Sequence, residues 1–163
     1  MISYFSAGTQ WAVQEGNPED VDADDACGLS VAVQRGTVQA DDITARSAEC
    51  EDAGSEAIDI QQFEGQDEAT AALVSGRVDA SLADSPVMAY AVQQTNGKLE
   101  LLGDIYDSAP YGWVVPQAQT EFAQVLVDAL TALIEDGTYE EILERWGVEA
   151  GAIDTPEVNP TAG

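Results

Sequence analysis

Leu29-Ser30-Val31-Ala32-Val33-Gln34-Arg35-Gly36-Thr37-Val38-Gln39 is the stretch on which the fold turns. Leu29 to Val33 is a short β-prone run, Gln34-Arg35-Gly36-Thr37 breaks it, and Val38 to Ala48 has helical character. Thr37 is a natural N-cap for that helix. A strand that delivers a Gly-Thr step into a helix leaves backbone N–H groups at the positive end of the helix dipole, where they suit a carboxylate. Ordinary capping produces the same pattern, so the step alone names no ligand. Gln34, just before the bend, can add a side-chain hydrogen bond to whatever the turn holds.

The same rhythm extends on both sides. Upstream, Tyr4 to Val13 is apolar and β-prone until Glu15-Gly16-Asn17-Pro18 breaks it, and the acidic Asp22 to Ala26 stretch predicts one helical turn. Downstream, Ala57 to Phe63 alternates as a half-buried strand, and Gly65-Gln66-Asp67 opens a helix through Ser75. Val78 to Ala83 is a further strand, and Asp84-Ser85-Pro86 starts a helix to Gln94, Pro being favourable in a first turn. Strand alternating with helix is the pattern of a layered α/β domain. Leu99 to Ile105 and Gly112 to Pro116 are expected as two more strands. Glu121 to Glu135 is an amphipathic helix with Phe122, Val125, Leu126, Ala129, Leu130 and Leu133 on one face, stopped by Asp136-Gly137. Thr138 to Trp146 makes a last short helix before a polar tail.

Asp84 ends a short apolar strand and precedes a helix, so its carboxylate is expected at the carboxyl edge of the sheet, where open α/β sheets bind ligands. A carboxylate there suits an ammonium group. N-capping of the helix through Pro86 and Val87 is the plainer reading of Asp84 taken alone.

Composition removes several function classes. Across 163 residues, 45% hydrophobic, 31 Asp and Glu face 5 Lys and Arg with no His, for a formal net charge of −26. Nucleic acid and anionic membranes need clustered basic residues, so neither is an expected partner. No run approaches a membrane span of about 18 apolar residues, so direct insertion is not expected. Asp20-x-Asp22-x-Asp24 resembles the start of a calcium loop. Asp25 stands where that loop needs Gly, and Val31 where it needs a bidentate Glu, so no calcium site is expected. The lack of His, with only two cysteines, argues against zinc and against the usual base for a nucleophilic Ser or Cys. Trp11, Trp113 and Trp146 lie in apolar runs and are expected in the core. Cys27 and Cys50 read most simply as one disulfide of a non-cytosolic protein, the alternative being two unconnected buried thiols. Met1-Ile2-Ser3-Tyr4-Phe5 lacks the basic start and cleavage site of a signal peptide.

Taken in order and spacing, the blocks resemble the amino-acid-binding family of bacterial extracellular solute-binding proteins. The resemblance rests on the run from Cys27 to Gln39, Gly65-Gln66-Asp67-Glu68-Ala69, Ala72-Leu73-Val74-Ser75-Gly76-Arg77-Val78-Asp79-Ala80 and Leu82-Ala83-Asp84-Ser85-Pro86. Tyr111-Gly112-Trp113-Val114-Val115-Pro116 and Asp136-Gly137-Thr138-Tyr139 through Arg145-Trp146-Gly147 continue it.

The resemblance implies a type II periplasmic-binding-protein-like α/β fold, two lobes joined by crossing strands and closing on solute like a hinge. In that frame residues 1–9 are a remnant of lobe 1 with the first crossing, 10–107 the complete second lobe, 108–149 the second crossing and the C-terminal helices of lobe 1, and 150–163 a polar tail. It further implies that Thr37, Val38 and Gln39 receive the α-carboxylate of an amino acid, that Gln34 contacts it from the strand end, and that Asp84 holds the α-ammonium. No catalytic residue, metal or cofactor is implied, and the partners are a small amine-bearing solute and an ABC permease. The setting implied is extracytoplasmic. Family members begin with most of lobe 1, including an Arg that clamps the carboxylate and an aromatic wall. These are missing here, so the chain is expected to be N-terminally truncated, to bind weakly or undetectably alone and to expose apolar surface on its last helices. Two alternatives stay open: a cyclohexadienyl-dehydratase-like enzyme on the same fold, and a ligand-sensing module.

Overall fold

The computed structural model describes residues 1–160. Ten regular elements follow one another: β1 (Ile2–Gln14), β2 (Ser30–Gln34), α1 (Val38–Asp52), β3 (Asp59–Phe63), α2 (Gln66–Val74), β4 (Ala80–Asp84), α3 (Ser85–Gln94), β5 (Leu99–Trp113), α4 (Thr120–Glu135) and α5 (Thr138–Trp146). A short 3-10 turn, Glu149–Gly151, closes the series. Five strands form one sheet in the order β3-β2-β4-β1-β5. The neighbours β3, β2 and β4 run parallel, while β1 lies antiparallel to β4 with Thr9 opposite Asp84 and Trp11 opposite Leu82. Two compact units result, Thr9–Ile105 and Met1–Gly8 with Tyr106–Gly163.

In the unit Thr9–Ile105 the strand alternation sorts side chains by size. Trp11, Val13, Val31, Val33, Ala80 and Leu82 share one face and are fully buried together with Ile43 of α1. The opposite face carries Ala12, Ala32 and Ala83, small enough for α2 and α3 to pack closely through Ala69, Ala72, Leu73 and Met88. Ser81 lies on that second face, and its buried hydroxyl donates to Ala32 O at 2.9 Å, so that hydroxyl is not stranded. Cys27 and Cys50 are bonded, tying the last turn of α1 to the segment before β2. The alternative of two separate thiols is thereby removed.

Three sequence expectations change. Asp22 to Ala26 is no helical turn: Asp25 N donates to Asp22 O, and Asp22 Oδ1 accepts from Asp24 N at 2.9 Å. An Asp side chain that bonds the backbone two residues on competes with helix formation. The strand expected at Leu99 to Ile105 and the first two residues of the one expected at Gly112 to Pro116 are parts of one strand, β5, which contains Pro110, while residues 114–116 lie beyond it. β5 lies at the edge of the sheet, where a Pro that cannot donate is tolerated. Of the three tryptophans only Trp11 is in the core, for Trp113 is 40% exposed and Trp146 51% exposed.

In the other unit, Tyr4 stacks on Trp113 with ring centroids 4.9 Å apart, and Phe5 meets Tyr111 at 6.2 Å. The apolar face of α4 divides: Leu130 is buried, whereas Phe122, Val125 and Leu133 are exposed, as are Ile142 and Trp146 of α5, in line with the apolar surface expected on the last helices. The polar tail is tied down where it is described. Ile2 bridges Val158, and Ser3 N donates to Glu157 O at 2.9 Å. Its last three residues lie outside the described residues.

Candidate functional site

Parallel neighbours β3, β2 and β4 end at the same edge of the sheet, and each hands the chain to a helix there. Gln34 closes β2 before α1, Gln66 opens α2 after β3, and Asp84 closes β4 before α3. This convergence of strand ends and helix starts is where open α/β sheets hold ligands. A pocket of about 360 Å³ occupies the edge, lined by Gln34, Gly36, Thr37, Gln39, Gln66 and Asp84 together with Val38, Leu82, Ala83 and Val87. All five residues predicted from sequence are in it.

The turn into α1 is built around Gly36, whose φ of +73° is a left-handed conformation that side chains disfavour. Thr37 then caps the helix, its Oγ1 accepting from Ala40 N at 3.2 Å and donating to Gln34 O at 2.8 Å. Its hydroxyl is therefore spent on the turn. The N–H groups of Val38 and Gln39 belong to the first helical turn, which has no intrahelical acceptors for them. Val38 stands 71% exposed beside them. Gln34 is held by its amide, which donates to Glu64 O at 3.1 Å.

Asp84 sits at the N-cap position of α3 but makes no side-chain cap bond, so the plainer capping reading of it fails. Its carboxylate is fixed from another direction. Gln39 Nε2 donates to Asp84 Oδ1 at 2.7 Å and to Thr9 Oγ1 at 3.1 Å, with Gln39 and Thr9 both buried. The Gln39 side chain thus braces Asp84. A carboxylate offers about four acceptor sites, so one amide does not exhaust it. None of the described residues lining the pocket is basic, and among the described residues no group of His, Cys, Asp and Glu is placed to hold a metal ion.

Sequence reasoning missed Thr9 and Gln66. Thr9 reaches the site only through the antiparallel pairing of β1 with β4, a long-range contact that no local pattern announces. Gln66 was read as a helix opener. The signal that could have flagged it is its place just after a Gly in the turn from β3 into α2, beside the Gly36-Thr37 step that follows the directly paired strand β2.

A single edge that gathers three strand ends, a helix N-terminus and a braced carboxylate defines a small-molecule-binding lobe of the type II periplasmic-binding-protein fold. The chain is 42% identical over 97% of its length to an arginine-binding protein of Corynebacterium glutamicum, of which it covers 52%. An ancestral cationic amino acid solute binding protein superposes with a TM-score of 0.71 at 26% identity, covering 90% of this chain and 62% of that one. An ancestral arginine-binding protein bound to glutamine gives 0.61 at 32% identity, with coverages of 90% and 62%. No family model matches the chain. Over nearly its whole length the chain is similar to amino-acid-binding proteins of bacterial ABC transporters, and it spans about half the length of the curated relatives it matches. Among the described residues no helix is long and apolar enough to cross a membrane.

Proposed function

We propose that this chain carries half of an amino-acid-binding cleft and serves, as part of a larger binding protein, to capture a solute outside the cytoplasm for an ABC permease. One observation carries the reading: the start of α1 and the carboxylate of Asp84 line the same pocket, so an anion acceptor and a cation acceptor stand together. A zwitterion needs that pair. The α-carboxylate goes to the Val38 and Gln39 N–H groups at the turn shaped by Thr37, the α-ammonium goes to Asp84, and Gln34 adds a contact from the end of β2. The residues 10–107 act as the complete second lobe, with 108–149 belonging to the first. Binding is non-covalent and turns nothing over.

Arginine is the first solute to try. A relative named as an arginine-binding protein is 42% identical to this chain over 159 aligned residues, the lining holds no basic side chain, and a net charge of −26 attracts cations at low salt. The disulfide supports an oxidising setting.

Calorimetric titration of the chain with L-arginine and L-glutamine, carried into the millimolar range and repeated on Asp84→Ala, tests this. Saturable binding that the substitution abolishes is expected. Turnover of a solute, or binding indifferent to Asp84, would overturn the reading.

A further inference from the structure

Gln66 is the one described residue whose side chain has a buried polar atom with no hydrogen-bond partner: its Nε2 is sealed from solvent and pairs with nothing. Buried amides are almost always satisfied, so an unsatisfied donor calls for a cause. Its position supplies one. Gln66 is the first residue of α2 and lines the pocket with Thr37 and Asp84.

We propose that the Gln66 amide donates to the carboxylate of the bound amino acid. This rests on the reading of the pocket as a zwitterion site. The strand order decides which end of the ligand it meets. β2 lies between β3 and β4, so the Thr37 turn stands between Gln66 and Asp84. A ligand whose ammonium is on Asp84 and whose carboxylate is on the start of α1 presents that carboxylate toward Gln66. The chemistry agrees, because an amide N–H requires an acceptor and a carboxylate is acceptor-only with several free lone pairs. A hydrogen bond to a charged group is also the stronger kind. The ligand-free lobe then holds a donor whose desolvation is already complete, and ligand binding supplies the acceptor it lacks.

L-arginine and L-glutamine share a carboxylate and differ in side chain, which makes them the probes. Both are titrated into the unmodified chain, Gln66→Leu and Asp84→Ala, and the side-chain amide resonance of Gln66 is followed by nitrogen-edited NMR in the unmodified chain. The expected result is an equal loss of affinity for both amino acids in Gln66→Leu, roughly tenfold or more, with the Gln66 amide resonance shifting on saturation. A loss confined to glutamine would assign the contact to a side-chain oxygen and overturn the proposal, as would unchanged affinity or an unmoved resonance. If Asp84→Ala abolishes binding while Gln66→Leu does not, this proposal alone fails. If the chain takes up neither amino acid, or Asp84→Ala binds normally, the zwitterion site itself fails and this contact with it.

Discussion

Gln39 Nε2 reaches Asp84 Oδ1 at 2.7 Å while the same nitrogen lies 3.1 Å from Thr9 Oγ1, so one amide of α1 fastens the end of β4 to the interior of β1. Gln39→Leu removes the donor and leaves a carboxylate and a hydroxyl to find other partners. Losing a hydrogen bond to a charged group costs about 2 kcal/mol. Urea unfolding of Gln39→Leu is expected to show a loss of that size, with weaker amino-acid binding because Asp84 is no longer held. Gln39→Glu sets a second carboxylate against the first, and like charges favour protonation. Its destabilisation should therefore ease as the pH is lowered toward the carboxylate range, a trend Gln39→Leu should not share.

Gly36 separates backbone conformation from space. A Cβ added there meets no atom within 4 Å, yet φ is +73°. The cost of Gly36→Ala is therefore purely conformational, about 1 kcal/mol for a left-handed L-residue. Denaturant unfolding should return that value, and relaxing the strain would shift the N–H groups of Val38 and Gln39 and weaken binding. A cost well above it would mean that the turn is held by more than its torsion angles.

The Gly-Thr step, the helix cap and the strand-end carboxylate were all legible in the sequence because each is a local device whose chemistry lies within a few residues. Thr9 and Gln66 were not. Thr9 arrives through pairing across more than seventy positions of chain, Thr9 opposite Asp84, and the role of Gln66 depends on which strand lies beside which. The same limit explains β5, where two strands were expected and one strand at the sheet edge runs through Pro110, because propensity cannot know which strand is at an edge. The helix α4 was legible from its apolar periodicity, and Phe122, Val125 and Leu133 are exposed on it, as expected for the last helices.

Cys27 and Cys50 close a loop with a sequence separation of 23. Removing the bond in a Cys27→Ser, Cys50→Ser double variant should cost about 3 kcal/mol in the chain-entropy account. Thr37 caps the opposite end of α1 from Cys50, so binding measured well below the unfolding transition should be retained. Parallel urea curves with and without reductant check the stability change, and a loss of binding in the folded, reduced protein would show that the bond shapes the site as well as the unfolded chain.

Tyr139 joins three parts of the unit Met1–Gly8 with Tyr106–Gly163. Its hydroxyl donates to Tyr4 O at 2.9 Å and accepts from Ile153 N at 3.1 Å. Burial pushes its pKa above the ordinary 10.0, with the bond from Ile153 acting in the opposite direction. Only the neutral phenol can donate to Tyr4, so the folded state favours the protonated form. A raised folded pKa means that the unfolded chain releases this proton first, and the associated stability is complete below about pH 10 and is lost as pH climbs through the folded value. Tyr139→Phe leaves Tyr4 O and Ile153 N without that partner and should cost about 1 kcal/mol at neutral pH. It should also remove part of the alkaline loss of stability. Urea midpoints measured across the alkaline range for both proteins decide the point: curves that stay parallel would place the titration elsewhere, whereas curves that converge at high pH would assign it to Tyr139.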